Sequence, residues 1–210
     1  QTCALPILDK ATNGKVGYIY IPDMGPEGLN EFSRYFYPQL DKEGLIIDDR
    51  ANGGGNVSPM ILERLSREPY RLTMRRGSSL IGTVPDAVQV GPKVCLINKY
   101  SASDGDLFPW GFRALGLGKL IGTRTWGGII GISGPLPYMD GTDIRVPFFT
   151  SYDPKTGNWI IENHGVDPDI LIDNDPIKEW NGEDQQLDRA IEEVMKQLKE
   201  RKPLDRKSVV

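Results

Sequence analysis

The sequence predicts an α/β fold in which parallel strands are joined by helical crossovers. Short apolar runs with the length of buried strands alternate along the chain with longer stretches whose apolar residues recur at helical spacing. Strands that alternate with helices favour a parallel sheet, because each helix returns the chain to the same edge of the sheet. The predicted strands are residues 16–21, 45–48, 94–97 and 120–121, and the predicted helices are residues 27–40, 58–65, 103–115 and 184–202.

Two regions do not follow this alternation of strands and helices. Residues 70–74 have strand character, while most of the remainder of 69–90 is predicted to be loop. Residues 129–138 and 144–149 are predicted as β structure around a turn at 139–141.

The composition fits a soluble globular domain, or one subdomain of a larger enzyme, with 39% apolar and 26% charged residues among 210. A net charge of −4 without a basic block argues against nucleic-acid binding. No apolar run has the length of a membrane span, and no signal peptide is visible. Residues 10–202 are predicted to form the functional unit, with residues 1–9 and 203–210 as an irregular or non-native leader and tail.

The segment 98–108, which reads NKYSASDGDLF, is the strongest chemical signal. It forms a small polar elbow between an apolar run and a helical stretch. A serine at such an elbow lies beside the free N–H groups that begin the helix, and a nucleophile next to oxyanion donors is what acyl transfer requires. Ser103 is therefore the candidate nucleophile. The alternative is that Ser101, Ser103 or Asp104 only caps the helix.

A triple glycine at 53–55 follows the predicted strand 45–48. Glycines let another group approach the backbone closely, so the turn could aim an N–H group at an oxyanion or a phosphate. The Walker and dinucleotide-binding spacings are absent, which argues against nucleotide binding. The alternative is a flexible turn without chemistry.

Two further segments complete a pattern: GTRTWGGIIGI at 122–132 and IIENHGVDPDI at 160–170. In this order, the four segments resemble the serine peptidase family of C-terminal processing (tail-specific) and tricorn proteases, from about residue 17 to about residue 198. Tail-specific enzymes carry a catalytic lysine where this chain has Gly128. The Trp-Gly-Gly sequence, together with YIYIPDM at 18–24, is similar to the tricorn branch.

The resemblance implies a spiral of ββα units, related to the crotonase and caseinolytic protease folds, as a single subdomain of a larger enzyme. It implies that Ser103 is the nucleophile and that the N–H groups of Asp104 and Gly54, with Gly55 as the alternative, form the oxyanion hole. Glu162 matches a glutamate that orients the catalytic histidine. That histidine and a second serine precede a PDZ domain in the family, so the base is expected from upstream sequence.

His164 is the only histidine in the chain. It lies two residues after Glu162, and on an extended strand both side chains would share a face, which would make His164 a candidate base. The alternative, which the sequence favours, is a surface or structural histidine in a turn.

The expected activity is hydrolysis of peptides through an acyl-enzyme on Ser103, without a metal or organic cofactor, and this segment alone is expected to be inactive. By resemblance we expect a homo-oligomer in the cytoplasm, with a periplasmic or secreted location as alternatives. Two other functions stay open: a non-catalytic module that binds an apolar ligand, and a crotonase-like acyl-CoA enzyme. The serine followed by Asp-Gly, together with Glu162, favours the peptidase.

Overall fold

The computed structural model describes residues 4–77, 81–132 and 136–201. The helices are α1 (Ala4–Thr12), α2 (Pro26–Phe36), α3 (Ser58–Leu65), α4 (Asp104–Ala114), α5 (Pro176–Trp180) and α6 (Gln185–Glu200), with a 3-10 turn at Tyr37–Gln39. The strands are β1 (Val16–Tyr20), β2 (Gly44–Asp48), β3 (Arg71–Met74), β4 (Ile81–Val84), β5 (Lys93–Ile97), β6 (Gly118–Gly122), β7 (Gly131–Ile132), β8 (Leu136–Pro137), β9 (Asp143–Ile144), β10 (Pro147–Phe149) and β11 (Ile170–Leu171). No helix in these ranges is both long and apolar enough to cross a bilayer.

Five strands form one sheet in the order β1-β2-β5-β6-β11, and every neighbouring pair is parallel. Helices α2, α3 and α4 lie between successive strands of this sheet along the chain. The predicted α/β class with helical crossovers is therefore confirmed.

Side chains alternate between two cores because successive residues of a strand point to opposite faces. On β2, Leu45 and Ile47 belong to a core shared with α2, α3 and α4, whereas Ile46 belongs to a core shared with α1 and α6. Burial on both faces explains why the central strands read as continuous apolar runs.

Several elements agree with the sequence and others were not predicted. The predicted helix 58–65 coincides with α3, and the β region around the turn at 139–141 forms the antiparallel pairs β7–β10 and β8–β9. Residues 133–135 of that region lie outside the described residues. Strand β4 pairs antiparallel with β3 in a region predicted as loop, and α5 and β11 were also missed.

Helix α1 runs across residue 9, the predicted end of the leader. Leu8 is fully buried in the core that α1 shares with α6 and β1, alongside Val16 and Val194. The origin of residues 1–9 and of the tail at 203–210, which lies outside the described residues, stays a prediction.

Two ion-pair groups attach α6 to the sheet. Arg50, just after β2, places Nη2 2.6 Å from an Asp48 oxygen and 2.8 Å from an Asp184 oxygen, and Asp184 is the N-cap of α6. Further along α6, the buried carboxylate of Glu193 lies 2.7 Å from Lys119 Nζ on β6. The hydrogen bond from Lys119 lowers the pKa of Glu193 to about 2, although burial opposes the shift.

This pKa predicts an acid-sensitive contribution to stability. A folded-state pKa of about 2, against an ordinary glutamate value of 4.5, means that the ion pair stabilises the fold above pH 4.5 and is lost as the pH falls toward 2. Glu193→Gln should lower the free energy of unfolding at pH 7 by on the order of 2 kcal/mol. It should also flatten the decline of that free energy at acid pH.

Urea unfolding at a series of pH values measures both effects. Glu192→Gln, on the same helix but exposed, is the matched control and should behave as the wild type. Identical acid profiles for Glu193→Gln and the wild type would contradict the assignment.

Candidate active site

Ser103 occupies the sharp turn between β5 and α4. Its backbone has φ 58° and ψ −120°, a conformation that residues other than glycine rarely adopt. Ser103 is the N-cap residue of α4, yet its side chain makes no capping hydrogen bond. Its side chain is exposed, whereas Ser101 and Asp104 on either side are buried. The helix-capping alternative therefore does not describe Ser103.

The residues near Ser103 make buried hydrogen bonds to other segments. The Ser101 hydroxyl donates to the carbonyl of Asp49 at 2.8 Å. The Asp104 carboxylate accepts from the N–H and the hydroxyl of Ser58, at the start of α3, rather than capping α4. Within the described residues, the backbone N–H of Asp104 has no hydrogen-bond acceptor. A free donor thus lies next to the Ser103 hydroxyl, at the positive end of α4.

The glycine turn packs directly against this elbow. Gly54 has φ 99°, and a Cβ atom at this position would lie 2.6 Å from the Ser103 Cβ and 3.0 Å from the Asp104 nitrogen. Only glycine permits both the conformation and the approach. The structure therefore brings together Ser103, Asp104 and the glycine turn, as the sequence predicts.

The backbone N–H groups of Gly54 and Gly55 differ in their hydrogen bonding. The Gly54 N–H donates to Asn52 Oδ1 at 2.9 Å. The Gly55 N–H has no acceptor among the residues that the structure describes. Met24 N–H donates to the carbonyl of Gly54, and Asn56 N–H donates to the carbonyl of Met24. In such a parallel bridge the N–H of the residue between them, Gly55, points away from Met24.

Asn52 is a site residue that the sequence analysis did not single out. Asn52 is fully buried, and its side-chain Nδ2 donates to the carbonyl of Ile21 at 3.1 Å. Its backbone carbonyl accepts from Ala102 N–H at 2.8 Å. Asn52 thereby joins the glycine turn to the serine elbow and to the end of β1. An asparagine immediately before three glycines was the available sequence signal.

The loop after β6 closes over the elbow. Trp126 N–H donates to the carbonyl of Ser101 at 2.9 Å, and Gly127 N–H donates to Asp106 Oδ1 at 2.7 Å. Asp106 lies in the first turn of α4 and is buried, and this burial raises the pKa of its carboxyl although the hydrogen bond from Gly127 opposes the shift. Asp106 thus holds the loop in place.

Glu162 is connected to the elbow through this loop. Its Oε2 accepts from the N–H groups of Ile129 at 2.7 Å and Ile130 at 3.0 Å, and Asn163 N–H donates to the carbonyl of Gly127. Glu162 is half-buried. These bonds fix its backbone and one carboxylate oxygen relative to the segment that packs on α4.

His164 is not part of the same arrangement. Its exposed imidazole lies 2.7 Å, through Nε2, from Asp167 Oδ2, and Asp167 also pairs with Arg124. The hydrogen bond from His164 lowers the pKa of the Asp167 carboxyl. In the described part of the chain, no hydrogen bond joins His164 to Ser103 or Glu162.

Buried acids surround the elbow without forming a metal centre. Among residues 4–77, 81–132 and 136–201, no group of three or more His, Cys, Asp or Glu side chains has a metal-binding arrangement. Asp49 is fully buried, and within the same ranges its carboxyl oxygens have no hydrogen-bond partner. Burial, and then the neighbouring Asp48, Asp104 and Asp106, raise the pKa of Asp49 well above its ordinary value.

Known proteins are similar to this chain in sequence and in architecture. The tricorn protease of Thermoplasma volcanium is 44% identical over 191 residues, which are 91% of this chain and 18% of the relative. The crystal structure of the tricorn protease matches with a TM-score of 0.85 at 41% identity, covering 92% of this chain and 19% of that chain. The photosystem II D1 C-terminal processing protease, at 22% identity over 75% of this chain and 42% of its own, shares the fold with a TM-score of 0.54.

These similarities confirm both the resemblance to the tricorn branch and the fold class that it implied. The chain spans less than a quarter of the length of the tricorn relatives that it matches. The profile described as peptidase family S41 matches residues 15–172, which is most of the chain. The chain therefore belongs to peptidase family S41.

Proposed function

We propose that this chain carries the nucleophile and oxyanion hole of a serine peptidase that hydrolyses peptides through an acyl-enzyme. The observation that carries the proposal is the exposed Ser103 in a strained elbow, with the free N–H of Asp104 beside it and the glycine turn packed against it. Strain of this kind persists only where the surrounding structure over-determines it, and such residues cluster at active sites.

The chemistry follows from these groups. Ser103 Oγ attacks the carbonyl carbon of a peptide bond while a base accepts the hydroxyl proton. The tetrahedral oxyanion that forms accepts hydrogen bonds from backbone N–H groups at the elbow. Collapse of this intermediate expels the amine, which takes the proton, and water then hydrolyses the acyl-enzyme.

Asp104 N–H is the first proposed oxyanion donor. For the second, the sequence resemblance favoured Gly54 over Gly55. The hydrogen bond from Gly54 N–H to Asn52 and the free N–H of Gly55 support the reverse assignment. In this proposal Gly54 provides the space that Ser103 requires, and Gly55 provides the donor.

The base is proposed to come from sequence upstream of this segment. The contact of His164 with Asp167 supports this proposal, because it directs the imidazole to a carboxylate at the surface. Glu162 would orient the upstream histidine. Peptide substrates, self-association and a cytoplasmic location remain expectations from the resemblance.

Labelling with a fluorophosphonate probe tests the function directly. Two proteins are compared: this 210-residue chain, and a chimera in which the upstream sequence of the Thermoplasma volcanium tricorn protease is fused ahead of it. We expect the chimera to be labelled at Ser103, and this chain to be labelled at least about a hundredfold more slowly, because the proposed base comes from the upstream sequence.

Peptide mapping identifies the labelled residue. Ser103→Ala should abolish labelling of the chimera, and Ser66→Ala, at the end of α3, should leave it intact. A chimera that hydrolyses peptides with Ser103→Ala would contradict the proposal. Uptake of an apolar ligand or an acyl-CoA thioester without serine labelling would instead favour the two other functions.

The glycine turn gives a second prediction. Gly54→Ala places a methyl group against Ser103 and the Asp104 nitrogen, so it should lower the labelling rate of the chimera by about a hundred- to a thousandfold. Gly53→Ala is the matched control, because a Cβ at Gly53 meets no atom within 4 Å, and its rate should change less than about threefold.

Circular dichroism and thermal unfolding establish that both glycine variants are folded. A folded Gly54→Ala protein labelled at the wild-type rate would show that the close approach of the turn is irrelevant to the reaction.

A third prediction concerns the role of His164. His164→Ala should leave the rate and the pH profile of labelling of the chimera unchanged, because the exposed imidazole contacts the Asp167 carboxylate. Labelling is followed between about pH 5 and 9, the range in which a histidine base titrates. A loss of about a hundredfold or more would make His164 the base.

A further inference from the structure

Ser58 and Asp104 form a buried contact between the first turns of two helices. Ser58 N–H donates to Asp104 Oδ2 at 2.9 Å, and the Ser58 hydroxyl donates to Oδ1. The two residues are only 3% and 5% exposed. Both oxygens of the carboxylate are thus held by one residue of the neighbouring helix, at the end where the dipole of α3 favours a negative charge.

This contact leaves the backbone of Asp104 free for another task. Aspartate near a helix start often accepts hydrogen bonds from the N–H groups of its own first turn. Here the carboxylate is engaged by α3, and the Asp104 N–H has no acceptor among the described residues. The side chain of the residue that carries this N–H is thus anchored to a residue 46 positions away in sequence.

A second connection lies on the other side of the glycine turn. The carbonyl of Asn52 accepts from Ala102 N–H at 2.8 Å, one residue before Ser103. The Asn52–Ala102 bond and the Ser58–Asp104 bonds therefore bracket Ser103 on the elbow and the three glycines on the turn. Two connections constrain both the separation and the rotation of the segments, which a single connection could not do.

We propose that Ser58 is a positioning residue of the oxyanion hole. By holding the Asp104 carboxylate, Ser58 fixes the Asp104 N–H at the place where the oxyanion forms, relative to the donor on the glycine turn. Ser58 itself is buried and touches no substrate. The inference rests on the proposed peptidase function and adds a residue that acts through Asp104.

Kinetics of the chimera described above test this role. Ser58→Ala removes the hydroxyl and keeps the N–H, so kcat for a chromogenic peptide ester should fall about 10- to 100-fold while KM changes less than about threefold. Affinity for a peptide aldehyde, whose serine adduct places an oxyanion in the hole, should fall in parallel with kcat/KM. Ser58→Thr, which retains the hydroxyl, should recover most of the activity.

Ser66→Ala, at the other end of the same helix, is the control and should match the wild type. If Ser58→Ala raised KM and weakened aldehyde binding by the same factor, the substitution would have loosened the fold in general. That result would overturn the proposal. Wild-type kinetics for Ser58→Ala would overturn it as well.

A measurement that does not depend on activity separates this inference from the proposed function. In the ¹⁵N-labelled 210-residue chain, Ser58→Ala should shift the amide resonance of Asp104 and speed its hydrogen exchange, while Ser66→Ala should not. An unchanged Asp104 amide refutes the positioning role even if Ser103 is labelled. A changed amide in this chain, together with a chimera that is not labelled at Ser103, refutes the peptidase function instead.

Discussion

The parallel pairing of β2 with β5 is the constraint on which the site depends. Asp48 pairs with Leu96 in this ladder, so both strands end at the same edge of the sheet. The glycine turn follows one strand and the serine elbow follows the other. Because the two strands are neighbours and run in the same direction, the turn and the elbow meet without any further folding of the chain. A register shift between β2 and β5 would separate Gly54 from Ser103.

Backbone strain at this edge is balanced by buried hydrogen bonds. Ser103 holds an unfavourable φ, of the kind that costs on the order of 1–3 kcal/mol. The bonds of Asn52 with Ala102 and of Ser58 with Asp104 cannot exchange with water, so moving the elbow would leave buried polar groups unsatisfied. The strained geometry is therefore maintained by its neighbours, and the Ser103 hydroxyl makes no capping hydrogen bond to α4.

Four buried acids, Asp48, Asp49, Asp104 and Asp106, lie near one another where β2 ends and α4 begins. Asp48 is paired with Arg50, and the Asp104 carboxylate accepts two hydrogen bonds at the N-terminus of α3. Asp49, which has no partner among the described residues, is held toward its neutral form by its burial. The ion pair, the helix N-terminus and the burial of Asp49 each offset part of the negative charge that these acids would otherwise place beside the elbow.

The sequence by itself determined the central strands, the helices between them and the family of the chain, and it pointed to Ser103 as the candidate nucleophile, because apolar periodicity and the elbow motif are local properties. Only the tertiary structure decided the rest. Strand β11 has two residues and no pattern of its own, so its pairing with β6 follows from the surrounding packing. The bond from Gly54 to Asn52, and that from Ser58 to Asp104, depend on side-chain orientation across the turn and the elbow. A hydrogen bond between distant segments leaves no periodic trace, and it exists only once the sheet has set their distance.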